Sequence, residues 1–169
     1  MTIAPARTGT PGTALVTGAT SGIGRATALR LAADGWSVIV HGRNAERGAE
    51  VVAAIEAAGG NARFEAADLD DLDDITRLGS AVGQVDVLVN NAGGSWFGPT
   101  ADLDGGTFDE LFDGNVRSAY FLVAALAPGM AERGAGSIAL PPVTADCGAV
   151  VASDSFIRFK SRRTSRAAW

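Results

Sequence analysis

Cysteine, histidine, tyrosine and lysine occur once each in this 169-residue chain, as Cys147, His41, Tyr120 and Lys160. A lone cysteine excludes an internal disulfide framework and a cysteine-rich zinc site. With a single histidine beside it, a metal centre has few ligands to draw on, and no metal is expected. No apolar run approaches the ~20 residues needed to span a bilayer. Residues 1–12 are rich in Thr, Pro and Gly and hold no apolar signal core, so they suggest a disordered leader. The setting expected by default is reducing and cytoplasmic, with no membrane partner. A net charge of −5 argues against generic nucleic-acid binding by the whole chain.

Hydrophobic residues make up 47% of the chain, enough for a real core, and the length suits one domain. The informative stretch is Ala14-Leu15-Val16-Thr17-Gly18-Ala19-Thr20-Ser21-Gly22-Ile23-Gly24. A short apolar run is followed by a glycine-rich turn and then a helical pattern. In that context a glycine loop becomes a phosphate site. Glycines let the chain turn tightly and let its backbone approach an anion. The free N–H groups of the following helix then face the charge. The spacing Gly-x-x-x-Gly-x-Gly differs from the common dinucleotide fingerprint, and close helix–strand packing is an alternative reading of the same glycines.

The remaining pattern alternates. Strands are expected at Ala14–Thr17, Trp36–His41, Ala62–Ala67, Val85–Val89 and Ser137–Leu140. The first helix spans Ile23–Ala33 and stops at Asp34-Gly35; the second starts from an Asn44 cap. The acidic stretch Asp68–Asp74 opens a third, where carboxylates suit the helix dipole. Thr107 with Glu110 reads as a capping box for a long fourth helix, which Pro128 kinks or ends. Alternating strands and helices point to an α/β fold, a Rossmann-like doubly wound parallel sheet truncated after about the fifth strand. Residues 13–140 form that domain. Ligands in such sheets bind outside the carboxyl ends of the strands. The candidate residues after strands one to four all fall there.

Thr17-Gly18-Ala19-Thr20-Ser21-Gly22-Ile23-Gly24, Asp68-Leu69, Asn90-Asn91-Ala92-Gly93 and Asn115 together resemble the short-chain dehydrogenase/reductase family over roughly residues 13–138. The resemblance implies a nicotinamide-dependent oxidoreductase acting on small alcohols and ketones, in a homo-oligomer. It implies that Gly18, Thr20, Ser21, Gly22 and Gly24 belong to the pyrophosphate turn, with Ile23 beside the nicotinamide. Asp68 would accept from the adenine amino group, and Leu69 would add a backbone contact. Asn90 would reach the ribose through its backbone, while Ala92 and Gly93 line the floor. Asn115 would hold a water of the proton relay. Asp68 also reads as a helix cap, Asn90 and Asn91 as turn formers, and Asn115 as a polar residue on a wet helix face. Strand two ends in His41-Gly42-Arg43-Asn44. No carboxylate is there to accept from a ribose 2′-hydroxyl, and the fork of Arg43 suits a phosphate, which favours NADP(H) over NAD(H). A solvated surface arginine is the alternative.

The resemblance then ends. The family's acid/base tyrosine has a lysine four residues later, whereas Tyr120 and Lys160 stand forty positions apart. Pro141-Pro142 suits a central strand badly, and Thr144 is a weak candidate for the serine that polarises the carbonyl. Residues 141–169 form an atypical tail, expected to be poorly ordered. Its last fourteen residues hold five of the chain's 14 Lys+Arg and no acid. A slip of the reading frame after Ile138 would account for this: the codons of Ser155–Ile157, shifted by one base, can encode a Ser-Tyr pair. Loss of the acid/base typically forfeits ~10²–10⁴-fold in rate. Three readings follow: an impaired NADP(H)-dependent oxidoreductase, a truncated cofactor-binding non-enzyme, or an interaction protein using its basic tail.

Overall fold

The computed structural model describes residues 12–140 and the backbone of a strand at 156–160. In chain order the elements are β1 (Thr13–Val16), α1 (Gly22–Ala33), β2 (Ser37–Gly42), α2 (Ala45–Ala57), β3 (Asn61–Ala66), α3 (Leu72–Ala81) and β4 (Val87–Val89). A 3₁₀ turn at Thr100–Asp102 precedes α4 (Gly105–Phe112), a π-helical turn (Asp113–Arg117), α5 (Ser118–Arg133), β5 (Ala135–Ala139) and β6 (Phe156–Lys160). The sheet order is β3-β2-β1-β4-β5-β6. The first five strands are mutually parallel, with Leu15 opposite both Ile39 and Leu88. The Rossmann-like parallel sheet expected from alternation is therefore present. β6 is an addition that the sequence pattern did not signal: it pairs antiparallel with β5, Ile157 opposite Ile138.

Strand side chains alternate between faces, and the two cores follow that alternation. Ala14, Val16, Val38 and Val40 face α1 and α2, meeting Ala28, Leu31, Val51 and Ile55. Leu15, Ile39, Leu88 and Ile138 face α3 and α5, meeting Ile75, Leu78, Leu122, Leu126 and Met130. β1 and β2 are buried on both sides, and Ala14–Val16 and Val38–Val40 are accordingly continuous apolar runs, whereas the edge strand β3 is half exposed and mixes Arg63 and Glu65 with Phe64. This two-sided burial fixes the sheet and leaves its carboxyl edge open for a site.

Helix ends show which local signals decided. Asn44 Oδ1 accepts from Arg47 N–H at 2.9 Å, as expected for an N-cap. Asp71 caps α3 in the same way, accepting from Asp73 N–H. The Thr107 cap is corrected: α4 starts at Gly105, and Asp104 Oδ1 accepts from Thr107 N–H at 2.9 Å. Gly105-Gly106 disfavours helix by intrinsic propensity, which hid a start that the Asp104 carboxylate imposes. The single long helix is also corrected, because a π turn interrupts it. Nor does Pro128 end it, since α5 continues to Arg133. There Leu126 and Met130, buried on either side of the proline, hold the helix to the sheet. Phe108, Phe112, Val116 and Tyr120, spaced by four, remain exposed on the opposite side.

Replacing Asn44 with Ala leaves the Arg47 N–H without its acceptor. The expected loss is about 1 kcal/mol of unfolding free energy, read as a lower denaturant midpoint with an unchanged slope.

Candidate functional site

A cavity of about 800 Å³ lies across the carboxyl ends of β1 to β4. Its first wall is the turn between β1 and α1. Gly18 and Gly22 have φ of 62° and 52°, the left-handed region that glycine enters without steric cost. A Cβ at Gly22 would meet nothing within 4 Å, so this wall faces open space that a bound group can fill. Ser21, the residue before α1, makes no side-chain cap, and no acidic residue lies in the first turn. The positive end of the helix is therefore not neutralised by its own chain. Gly24 does not line the cavity. It sits behind the turn, where a Cβ would run into Gly18 O and Asn91 Nδ2.

Thr17 closes this wall onto the next one. It is 1% exposed. Its Oγ1 accepts from the N–H groups of Asn91 and Ala92, both at 2.9 Å, and donates to Val89 O at 3.3 Å. Asn91 Nδ2 donates in return to Thr17 O and Gly18 O. The ends of β1 and β4 are thus locked together by side chains. Thr17 and Asn91 stood in the motifs but not among the candidate site residues. Asn90 is buried, with its N–H donating to Ala139 O. It is not a cavity-lining residue, because strand alternation turns its side chain inward.

His41 was missed as a site residue. In sequence it reads as a scarce metal ligand and as the end of the second strand, yet it lines the cavity while 2% exposed. Gly18 N–H donates to its Nδ1 at 3.3 Å, and Nε2 lies 3.2 Å from Ala67 O. Burial pushes its pKa down to about 4; the Ala67 carbonyl and the carboxylates of Asp68 and Asp74 pull the other way. Beyond it, Arg43 is largely exposed, with a guanidinium nitrogen 3.9 Å from Asp68 Oδ1 and 3.7 Å from Asp70 Oδ2. Asn44 and Arg47 lie beside it on the cavity wall. Asp68 is held by its main chain: its N–H donates to Asp74 Oδ2 at 2.8 Å. That bond, followed by the bond from Arg77, holds the Asp74 carboxyl below the usual carboxylate range.

On the far side the π turn presents Asn115. Its Nδ2 donates to Leu111 O at 2.7 Å and to Gly94 O at 3.0 Å, tying the helix to the loop after β4. A Cβ at Gly93 would run into Asn115 Oδ1, so only glycine allows this approach. Trp96, Leu111 and Glu110 complete this end. The cavity thus brings together Gly18, Thr20, Ser21, Gly22, Ile23, Arg43, Asp68, Leu69, Ala92, Gly93 and Asn115. Thr144 lies outside the described residues. Tyr120 is 68% exposed on α5 and does not line the cavity, and Lys160 belongs to β6. Among the described residues there is no group of three or more metal-ligating side chains, and no helix is long and apolar enough to cross a membrane. The donor set suits an elongated anion: backbone N–H groups and a helix N-terminus at one end, a guanidinium at the other.

Comparison with known proteins agrees with this geometry. Residues 12–141 match the family model described as short chain dehydrogenase. A 3beta-hydroxysteroid dehydrogenase of Mediterraneibacter gnavus is 45% identical over 112 residues, covering 63% of this chain and 41% of that protein. A 7alpha-hydroxysteroid dehydrogenase of Clostridium sardiniense is 38% identical over 132 residues, covering 74% and 50%. Among solved structures, a metagenomic short-chain oxidoreductase in complex with NADP superposes with a TM-score of 0.72 at 39% identity, covering 75% of this chain and 60% of that one. The chain therefore spans about half the length of the curated relatives it matches.

Two outcomes test the architecture of the site. Thr17→Val removes the acceptor of two N–H groups, and the expected loss is about 2 kcal/mol, with Thr17→Ser retaining most of it; chemical denaturation measures both. His41 sets a pH dependence. Its folded pKa of about 4 lies below the unfolded 6.5, so the unfolded chain binds more protons between these values. Stability from this residue is complete above about pH 6.5 and is lost as pH falls through 4. Urea midpoints should fall across that window by less in His41→Asn than in the wild-type chain.

Proposed function

We propose that this chain, which belongs to the short-chain dehydrogenase family, holds NADP(H) in the cavity across the carboxyl ends of β1 to β4, as the cofactor half of an alcohol/ketone oxidoreductase. The observation that carries the reading is the left-handed glycine turn opening onto the uncapped start of α1, with Arg43 rather than a carboxylate after β2. Gly18, Thr20, Ser21 and Gly22 would hold the pyrophosphate. Asp68 and Leu69 would meet the adenine, with Asn90 and Gly24 supporting the walls from behind. Ile23, 79% exposed at the mouth, together with Ala92 and Gly93, would border the nicotinamide. Bound there, the cofactor supplies or accepts a hydride. Arg43 would meet a 2′-phosphate, which attracts a guanidinium more strongly than a ribose hydroxyl does. Asn115, on the substrate side, would place a water for proton movement. The structure with NADP that resembles this chain supports the cofactor class. Another neighbour, a 7alpha-hydroxysteroid dehydrogenase, is complexed with NADH, so the preference for NADP(H) rests on Arg43.

A second reading, cofactor binding without turnover, is favoured by one observation. The only tyrosine is exposed on α5, away from the cavity. A homo-oligomeric state belongs to the same family-based reading, and the cytoplasmic setting rests on the single cysteine and the lack of a signal-like apolar core in residues 1–12. The basic tail of the third reading lies outside the described residues, apart from the backbone of β6.

Titration with NADPH and NADH, followed by cofactor fluorescence and melting temperature together, tests the proposal. NADPH should saturate and raise the melting temperature; no shift with either cofactor overturns it. Arg43→Ala should weaken NADPH by about tenfold, the weight of one charge-assisted contact, while changing NADH little. Oxidation of NADPH across a carbonyl panel separates an impaired enzyme from a pure binder.

A further inference from the structure

We propose that His41 is a positioning residue that ties the glycine turn after β1 to the loop after β3, so that the two ends of the cavity keep one relative placement. The functional consequence rests on the NADP(H) reading above; the brace itself rests on geometry.

His41 stands near the carboxyl end of β2, the strand lying between β1 and β3. Its ring reaches both neighbours. On one side Gly18 N–H donates to Nδ1 at 3.3 Å. On the other, Nε2 lies 3.2 Å from Ala67 O, directly before Asp68. A backbone N–H only donates and a carbonyl only accepts. The two partners together therefore select the neutral ring with its hydrogen on Nε2. The main chain of the same residue adds a third tie, because His41 O accepts from Ala19 N–H at 2.8 Å. One residue thus holds two successive residues of the turn and the residue before the candidate adenine contact. An apolar side chain of similar size would fill the space and provide neither ring bond. Phosphate binding by a glycine turn depends on where its N–H groups point. A brace that fixes Gly18 against Ala67 sets the distance over which a dinucleotide must stretch.

Because the chain has a single histidine, a tag-free sample labelled with ¹⁵N-histidine presents one imidazole. At pH 7 the expected spectrum shows a protonated Nε2 and an unprotonated Nδ1. A ring protonated on Nδ1, or one averaging freely between tautomers, overturns the proposal. Two variants read the consequence. His41→Asn keeps an acceptor where Nδ1 stood, whereas His41→Leu keeps neither bond. NADPH should bind about tenfold more weakly to His41→Leu, the scale of one lost buried bond, and His41→Asn, which keeps the Gly18 bond alone, should fall between His41→Leu and the wild-type chain. Equal losses in the two variants overturn the positioning role. If His41→Leu does not fold, the wild-type spectrum and His41→Asn still decide. A wild-type chain with the Nε2–H ring but no NADPH binding defeats the cofactor reading and leaves the brace standing.

Discussion

The site depends first on the hydroxyl of Thr17. β1 and β4 are neighbours in the sheet although more than seventy residues separate them in the chain. Sheet pairing aligns their residues up to Val16 and Val89. Beyond that point the two strands share one more backbone bond, Thr17 N–H to Val89 O, before their loops diverge. Thr17 Oγ1 takes over by accepting two successive N–H groups from the β4 loop, and Asn91 answers with its own amide. The loops after β1 and β4 thereby become one wall. The Ala92–Gly93 floor and the approach of Asn115 to Gly93 inherit their position from this lock, and the Gly18 turn is held jointly by it and by His41.

The electrostatic character of the cavity follows from what surrounds it. The start of α1 presents donors with no carboxylate nearby in sequence. Between the glycine turn and the loop after β3, burial lowers the pKa of His41, and beyond it Arg43 faces the carboxylates of Asp68 and Asp70 at close to 4 Å. These ion pairs are exposed and weak by nature, so the guanidinium is available to a stronger anion. The same exposure makes Arg43 responsive to salt, whereas the buried bonds of Thr17 and His41 are shielded from it.

The chain matches about half the length of its relatives, and its one tyrosine and one lysine stand forty positions apart. Short, two-sided strands can still form a closed core here, because each face is covered by its own pair of helices. β6 supplies hydrogen-bond partners to the outer edge of β5, and a paired edge is protected from pairing with another chain. The exposed line of Phe108, Phe112, Val116 and Tyr120 is the apolar surface that α4 and α5 leave facing outward.

Composition and periodicity determined much of this protein by themselves. Continuous apolar runs mean strands covered on both faces, their alternation with helical patterns means a parallel doubly wound sheet, and glycine spacing after the first run marks the left-handed turn that lines the cavity. Asn44 was legible as a cap because its signal is local: the acceptor and the donor lie three residues apart. Asp104 was not, because two glycines speak against a helix that the Asp104 cap then starts. The π turn around Asn115 and the passage of α5 through Pro128 were equally hidden, since each depends on what packs against the helix. For Thr17, Asn91 and His41 the difference is sharpest. Each has an ordinary identity in sequence, and each acts through partners on other strands. Only the register of the sheet decided that a threonine would join β1 to β4 and that a histidine would reach from Gly18 to Ala67, because those hydrogen bonds exist only once strands far apart in the chain lie side by side.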